Sequence, residues 1–141
     1  MDDAGTGAFS RFELHGRTAL VTGGSSGLGE GLARALAAAG ARVAVVARRR
    51  ERLEALADEI DGDAFACDLL EPDQLDALVP AVAQRLGPPE ILVNAAGVIT
   101  GVHPAEEEPP DSVRRTLELN LVAPLRLSQA CLLYTSPSPR D

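Results

Sequence analysis

The strongest constraint on the fold is a regular alternation between short apolar runs and longer amphipathic stretches. The apolar runs are continuous, as is typical of parallel strands covered on both faces, and they lie at residues 18–23, 42–47, 64–69 and 90–97. Patterns with helical spacing follow them at residues 27–40, 48–61, 71–87 and 109–130. Strand and helix patterns that alternate at this spacing favour parallel strands joined by helical crossover connections. We therefore predict an α/β fold with one parallel sheet.

Glycine and proline residues mark the expected ends and interruptions of these helices. Gly40 is a suitable C-terminal stop for the first helix, and Pro72 suits the first turn of the third. Pro80 lies inside the third helical pattern and predicts a kink or a break, because its ring removes a backbone donor. Pro124 predicts an interruption of the fourth helical pattern in the same way.

The segment between the first strand and the first helix, VTGGSSGLGEGLA, is rich in glycine. Gly23 can form the tight turn out of the strand, Gly27 can let backbone approach a phosphate, and Gly29 can allow close helix–sheet packing. The helix N-terminus then offers free N–H groups to a pyrophosphate, and Ser25 and Ser26 can add hydroxyl donors. The alternative is a strand–helix turn that binds nothing, because short motifs of this kind give false positives.

With these motifs in place, the chain resembles the short-chain dehydrogenase/reductase family from about Phe12 to about Ala130. FELHGRTALVTGG and TGGSSGLG are similar to the opening of that family and to its TGxxxGxG cofactor motif. ACDL, ILVNAAG and LELNLVAP resemble later family motifs and follow in the family's order. The resemblance implies the first half of a Rossmann-type, doubly wound parallel sheet, with about four strands and four helices.

The same resemblance implies roles for individual residues in binding a dinucleotide. Asp68 and Leu69 would meet the adenine, while Asn94, Ala96 and Gly97 would run along the adenosine ribose. Residues that would hold the pyrophosphate are Gly23, Ser25, Ser26, Gly27, Leu28 and Gly29.

Two further positions bear on the family's catalytic chemistry. Ala95 stands where the family's strand motif has a second asparagine. Asn120 matches the helix-borne asparagine that positions a water in the family's proton relay, and it is our one candidate catalytic residue. The alternative for Asn120 is a core polar side chain whose hydrogen bonds are satisfied locally.

The end of the second strand, VAVVARRR, bears on which dinucleotide is bound. An acid near this point accepts hydrogen bonds from the ribose of NAD, whereas an arginine suits the 2′-phosphate of NADP. Ala47 occupies the acid's position and Arg48 follows, so we predict NADP, with Arg49 in support and NAD less favoured. Alternatively, these arginines are the solvated first turn of a helix.

Composition excludes several other classes of function. The formal net charge of −8 argues against nucleic acid or an anionic membrane as the main partner. No apolar run approaches the ~20 residues that span a bilayer, and the acidic N-terminus has no signal-peptide pattern. The two cysteines and the acidic loop at 106–108 have no metal-ligand spacing. His15 and His103 are interpreted as surface residues. Because the two cysteines form no disulfide pattern, a reducing cytoplasm is expected.

The residues that complete the family's catalysis are not found in this chain. The family uses a serine and a tyrosine followed four residues later by a lysine, which favours the phenolate form of that tyrosine. Tyr134 is followed four residues later by Ser138, and the chain contains no lysine. The segment CLLYTSPSPRD resembles a translated sequencing adapter. We therefore divide the chain into a tail at 1–11, a partial NAD(P)-binding domain at 12–130, and a non-native or disordered tail at 131–141.

These inferences predict an NADP-dependent oxidoreductase that is truncated before its catalytic serine, tyrosine and lysine. The full-length protein would exchange a hydride with a small carbonyl or alcohol substrate and would form a homo-oligomer, whereas the 141-residue chain would be inactive. The alternative function is a stand-alone dinucleotide-binding or sensor module without catalysis.

Overall fold

Four parallel strands form one sheet in the computed structural model, which describes residues 12–99 and 101–135. The strand order is β3-β2-β1-β4, so that β1 lies in the interior, where Val21 pairs with Val45 on one side and with Val93 on the other. The strands are β1 (Thr18–Thr22), β2 (Arg42–Ala47), β3 (Asp63–Ala66) and β4 (Ile91–Asn94). The predicted parallel sheet is confirmed.

Helices cover both faces of this sheet. Those on one face are α1 (Gly27–Ala38) and α2 (Glu54–Glu59), and those on the other are α3 (Pro72–Leu86) and α5 (Ala123–Thr135). A further helix, α4 (Pro110–Leu117), is joined to α5 by a π turn at Glu118–Val122. The doubly wound half-sheet is therefore confirmed, although the fourth predicted helix is divided into α4, the π turn and α5.

The core consists of two apolar clusters separated by the sheet. Leu20 and Val46 point to the α3 and α5 face, whereas Val21 and Val45 point to the α1 and α2 face. All four side chains are almost completely inaccessible to solvent. Burial on both faces explains why these strands are continuously apolar, and it fixes the position of their carboxyl ends.

The two prolines inside predicted helices behave differently. The break predicted at Pro80 is wrong, because α3 is continuous from Pro72 to Leu86 with Pro80 on its exposed face. Pro124 does interrupt the helical ladder, since it has no N–H to donate to the carbonyl of Asn120 four residues earlier. The chain opens into the π turn immediately before it, and the Ala123 N–H bonds to the carbonyl of Glu118.

Two element boundaries differ from the prediction. The second helix begins later than expected: a 3₁₀ turn at Arg50–Arg52 precedes α2, which leaves Arg48 and Arg49 in the loop after β2. At the other end, α5 continues past Ala130 to Thr135, because Cys131 is only 7% exposed and packs in the core cluster with Leu127. The ordered helix therefore enters the segment that we interpreted as a tail, while residues 136–141 lie outside the described part. That 131–141 is foreign to the protein stays a prediction.

An apolar stripe runs along α4, the π turn and α5 on their outer side. Its members are all exposed, at 43% for Val113, 51% for Leu117, 61% for Leu121, 55% for Leu125 and 57% for Leu132. Spacing of four residues places the first four on one helical face. A continuous exposed apolar surface of this kind marks an interface or an aggregation hazard.

We therefore expect the 141-residue chain to self-associate through this stripe. The double variant Leu121→Glu, Leu125→Glu should elute as a monomer in size-exclusion chromatography with light scattering, whereas the parent chain should elute as dimers or larger species across a concentration series. Val102→Glu is the control, because Val102 is 97% exposed but lies in a loop off the stripe. A monomeric parent chain would contradict this expectation.

Candidate functional site

A cavity of about 310 Å³ opens at the carboxyl edge of the sheet. The loops after all four strands line it, together with one face of α4 and the π turn. The predicted pyrophosphate residues that line it are Gly23, Ser25, Ser26, Leu28 and Gly29. The other predicted cofactor residues that line it are Arg48, Asp68, Leu69, Ala96 and Gly97. Crevices at this edge of open α/β sheets are where such folds bind ligands.

Three predicted site residues do not line the cavity. Gly27 begins α1 with a φ of +58°, and a Cβ added there would have no atom within 4 Å. Asn94 is the last residue of β4, exposed and paired in register with Thr22. Asn120 lies in the π turn and contacts the loop after β4. All three nevertheless adjoin residues that do line the cavity.

Close backbone packing explains the glycines of the first loop. Gly23 has a φ of +67°, and a Cβ there would lie 2.7 Å from the nitrogen of Ala96 and 2.8 Å from the carbonyl carbon of Ala95. A Cβ on Gly29 would lie 2.8 Å from the carbonyl carbon of Gly23 and would overlap its carbonyl oxygen. Backbone atoms are therefore in van der Waals contact where β1 and β4 end and α1 begins. Side chains at Gly23 and Gly29 would prevent this close packing.

The N-terminus of α1 has unused hydrogen-bonding capacity that faces the cavity. Ser26 is the N-cap with an extended backbone, but its side chain makes no capping hydrogen bond. The first N–H groups of the helix therefore lack an intrahelical partner. Combined with the positive end of the helix dipole, these donors suit an anionic group such as a pyrophosphate.

Thr22 ties the exits of β1 and β4 together and was missed from the sequence. Its side chain is 1% exposed, its hydroxyl donates to the Val93 carbonyl at 3.4 Å, and it accepts from the Ala96 N–H at 3.2 Å. A polar residue at the last position of a continuously apolar strand is the signal that points to such a bridge. Thr22 thereby holds the loop that forms one wall of the cavity.

Arg48 follows β2 and lines the cavity with an exposed side chain. Within 12–99 and 101–135 it has no carboxylate partner, whereas nearby Arg50 pairs with Glu54 at 3.6 Å. Arg49 is exposed and does not line the cavity. With Ala47 beside it and no acid at the strand end, Arg48 is a guanidinium available to an anion.

The loop after β3 presents Asp68 and the buried side chain of Leu69. One carboxylate oxygen of Asp68 accepts from the Leu70 N–H at 3.0 Å, and the Asp68 N–H donates to the Gln74 side chain at 2.8 Å. These bonds fix the turn, and among the residues that the structure describes the second carboxylate oxygen has no partner, so it can accept another hydrogen bond. Leu69 is 8% exposed and gives this end of the cavity an apolar wall.

Cys67 also lines the cavity but is chemically protected. Burial, with a smaller contribution from the negative charge of Asp68, raises the pKa of the Cys67 thiol to about 11. Burial also raises the pKa of Cys131. The thiolate is the reactive form of cysteine, so both side chains are expected to be inert at neutral pH.

Thiol labelling at pH 8 checks this directly. A rise of the Cys67 pKa from 9 to about 11 lowers its thiolate fraction roughly 100-fold. We expect iodoacetamide to label Cys67 slowly in the folded chain and rapidly in urea, as measured by peptide mass spectrometry. The difference in labelling rate between the folded and unfolded chain should shrink as the pH rises towards 11. Over the same pH range the free energy of unfolding should fall, because the thiol of the unfolded chain ionises first. Equal labelling of folded and unfolded chains would contradict it.

Asn120 clamps the π turn to the exit of β4. Its side-chain oxygen accepts from the Val98 N–H at 2.9 Å, and its amide nitrogen donates to the Val98 carbonyl at 2.8 Å. A Cβ on Gly97 would lie 3.3 Å from the same side-chain oxygen. Both polar ends of the side chain are therefore paired with backbone, but Asn120 is exposed rather than buried in the core, and its catalytic role stays a prediction. The π turn around it is a feature that often accompanies functional sites.

Sequence reasoning did not find the wall of the cavity that α4 and the π turn provide. Arg115 and Leu119 lie four residues apart, on one helical face that borders the cavity. Ala95, the departure from the family's asparagine, also lines it. The four-residue spacing of Arg115 and Leu119, just before Asn120, was the available signal, but spacing alone does not show that this helical face borders the cavity.

Other candidate chemistry lies away from this cavity. Tyr134 is on α5, 46% exposed, and does not line the cavity. Across the residues that the structure describes, no group of three or more histidine, cysteine or acidic side chains is arranged to hold a metal ion. Likewise, no helix in 12–99 or 101–135 is long and apolar enough to cross a membrane.

Comparison with known proteins identifies the relatives of this chain. The profile of a family described as short chain dehydrogenase matches residues 17–137, a range that extends beyond Ala130. A short chain dehydrogenase of Pseudocercospora fijiensis is 43% identical over 127 residues, which cover 85% of this chain and 41% of that protein. D-threitol dehydrogenase of Mycolicibacterium smegmatis is 42% identical over 124 residues, covering 84% of this chain and 47% of that enzyme.

A solved structure gives the same result for the fold. A metagenomic short-chain oxidoreductase in complex with NADP superposes with a TM-score of 0.78 at 37% identity, covering 85% of this chain and 58% of that one. The chain thus spans less than half of the two curated relatives and somewhat more than half of this structure.

Proposed function

The chain belongs to the short-chain dehydrogenase/reductase family, and we propose that the full-length protein is an NADP-dependent oxidoreductase. Its reaction would be hydride exchange between NADP(H) and a small carbonyl or alcohol substrate. The observation that carries the proposal is a cavity at the carboxyl edge of the sheet. It is lined by a glycine-rich helix N-terminus and by Arg48, which has no carboxylate partner within the described residues.

Each wall of the cavity suits one part of the cofactor. The free N–H groups at the start of α1, with Ser25 and Ser26, would hold the pyrophosphate. The free carboxylate oxygen of Asp68 would accept from the adenine amino group, and Leu69 would contact the ring. Gly97 and its neighbours would line the adenosine ribose.

The choice of NADP over NAD rests on the exit of β2. An aspartate or glutamate there would bind the 2′-hydroxyl and repel a phosphate. Instead Ala47 and Arg48 stand at this point, and Arg48 has a guanidinium free of carboxylates in the described residues. The related metagenomic oxidoreductase, solved with NADP, supports the same choice.

Asn120 would serve the reaction through position rather than direct contact. Its side chain holds Val98 at the exit of β4, so that the Ala96–Gly97 wall keeps its shape. Pro124 leaves the Asn120 carbonyl without its usual helical donor. That carbonyl is thus available to hold a water of the proton relay, the role that the family resemblance implies.

Two further proposals concern the cellular setting and the assembly of the protein. We place the protein in the cytoplasm, since Cys67 and Cys131 are unpaired thiols. We also propose a homo-oligomer, which the exposed stripe on α4 and α5 supports.

The decisive experiment is recovery of the coding sequence downstream of Ala130. We expect a serine and then Tyr-x-x-x-Lys in frame, and the recovered protein should oxidise NADPH in the presence of a carbonyl panel. The 141-residue chain should show no such turnover, because it contains no lysine and its one tyrosine lies outside the cavity. An in-frame stop near Ala130, or NADP-dependent turnover by the 141-residue chain, would overturn the proposal.

A further inference from the structure

Arg115, on α4, is a second guanidinium that lines the cavity, together with residues of the loop after β3. Most arginines in the described residues pair with an acid or a carbonyl, as expected in a chain of net charge −8. The adjacent Arg114 bonds to Asp111 at 2.8 Å. Among residues 12–99 and 101–135, Arg115 has no such partner, and of the unpaired arginines only Arg48 and Arg115 line the cavity.

The two unpaired arginines that line the cavity belong to elements on different faces of the sheet. Arg48 leads into α2, which packs on the face formed with α1. Arg115 lies one helical turn before Leu119, which packs against the opposite cluster together with Cys67 and Leu69. Through Leu119, Arg115 is therefore linked to the cluster that contains Cys67 and Leu69, whereas Arg48 precedes the helix on the other face.

This position suits a flat, neutral ring better than a phosphate. The wall around Arg115 includes the apolar side chains of Leu69 and Leu119, and Asp68 contributes a carboxylate that would repel a nearby anion. An arginine plane stacks on nucleobases and gains a cation–π contribution from them. Leu119 would meet the ring edge from the same helix.

We propose that Arg115 binds the adenine base of the cofactor by laying its guanidinium plane against the ring, closing the cavity from the α4 side. This inference rests on the proposed function, because it assigns a residue to the dinucleotide site described above. Arg115 would contribute to the affinity for both NAD and NADP, because the two share the adenine. Arg48 would contribute only to the affinity for NADP, because it binds the 2′-phosphate.

Equilibrium dialysis of the 141-residue chain with NADP and with NAD tests this assignment, since every lining residue is present in it. Arg115→Ala should weaken both cofactors by the same factor, about fivefold, as expected for an exposed cation–π contact. Arg115→Lys should behave like Arg115→Ala, because it keeps the charge and loses the plane. Arg114→Ala is the matched control and should bind both cofactors as the parent chain does.

Three results would overturn the inference. Loss confined to NADP, with affinity retained by Arg115→Lys, would make Arg115 a phosphate ligand. Affinities equal to those of Arg114→Ala would mean that Arg115 contributes nothing, while the proposed function stands. Failure of the parent chain to bind either cofactor, in a sample whose circular dichroism shows a folded protein, would remove the proposed function and this inference together.

Discussion

Replacing Gly23 by alanine is expected to destabilise the chain and to weaken NADP binding, because the loop that leads into α1 could not keep its path. The new Cβ would lie 2.7–2.8 Å from three atoms of the peptide between Ala95 and Ala96, and all three are backbone atoms. The left-handed φ of +67° adds strain for any side chain. Backbone strain of about 1–3 kcal/mol and overpacking of about 1–3 kcal/mol together predict a loss of roughly 2–6 kcal/mol in the free energy of unfolding.

Gly31→Ala is the matched control for this variant. Gly31 lies in α1, where a Cβ would meet nothing within 4 Å and the backbone is helical. Alanine there should raise the free energy of unfolding by about 0.5–1 kcal/mol and leave NADP affinity unchanged. Urea titration followed by circular dichroism gives the stabilities, and equilibrium dialysis gives the affinities. A Gly23→Ala chain with the parent's stability and affinity would refute the close packing of β1, β4 and α1.

Arg48→Ala is expected to abolish the preference for NADP over NAD. Hydrogen bonds to charged groups contribute about 1.5–3 kcal/mol, so affinity for NADP should fall roughly 10- to 150-fold while affinity for NAD stays the same. Arg48→Glu should lower NADP affinity further and favour NAD, because a carboxylate accepts from a ribose hydroxyl and repels a phosphate.

Two comparisons sharpen the Arg48 experiment. Arg52→Ala is the control, because Arg52 is exposed in the same arginine-rich segment but does not line the cavity. Raising the salt concentration should reduce the effect of Arg48→Ala, since the interaction lies near solvent and is screened. Equal loss of both dinucleotides in Arg48→Ala would show that this side chain does not bind the 2′-phosphate.

Much of the fold could be predicted because it depends on repeated local patterns. Continuous apolar runs require burial on both faces, and Val21 and Val45 lie where such runs place them. The roles of the glycines could also be predicted. The tight turn from strand to helix requires a positive φ at Gly23 and close approach of the Gly23 and Gly29 backbones. Helix interruption at Pro124 follows from its missing N–H.

Tertiary contacts explain what the sequence did not reveal. Pro80 is accommodated because its ring lies on the exposed face of α3, and burial of neighbouring Leu78 and Val79 holds the helix together. The late start of α2 leaves Arg48 in a loop, which local periodicity could not distinguish from a helical turn. Arg115 lines the cavity because the tertiary fold places α4 beside the loops at the carboxyl edge of the sheet.

The central claim is that the cavity at the carboxyl edge of the sheet binds NADP, and an NMR titration of the isotope-labelled chain tests it most directly. The account predicts that amide signals of Ser25–Gly29, Asp68, Leu69, Ala96 and Gly97 shift on addition of NADP, while those at the opposite ends of β1 and β4, near Thr18 and Ile91, stay in place. Signals that remain unchanged in the cavity, or that shift only elsewhere, would contradict it.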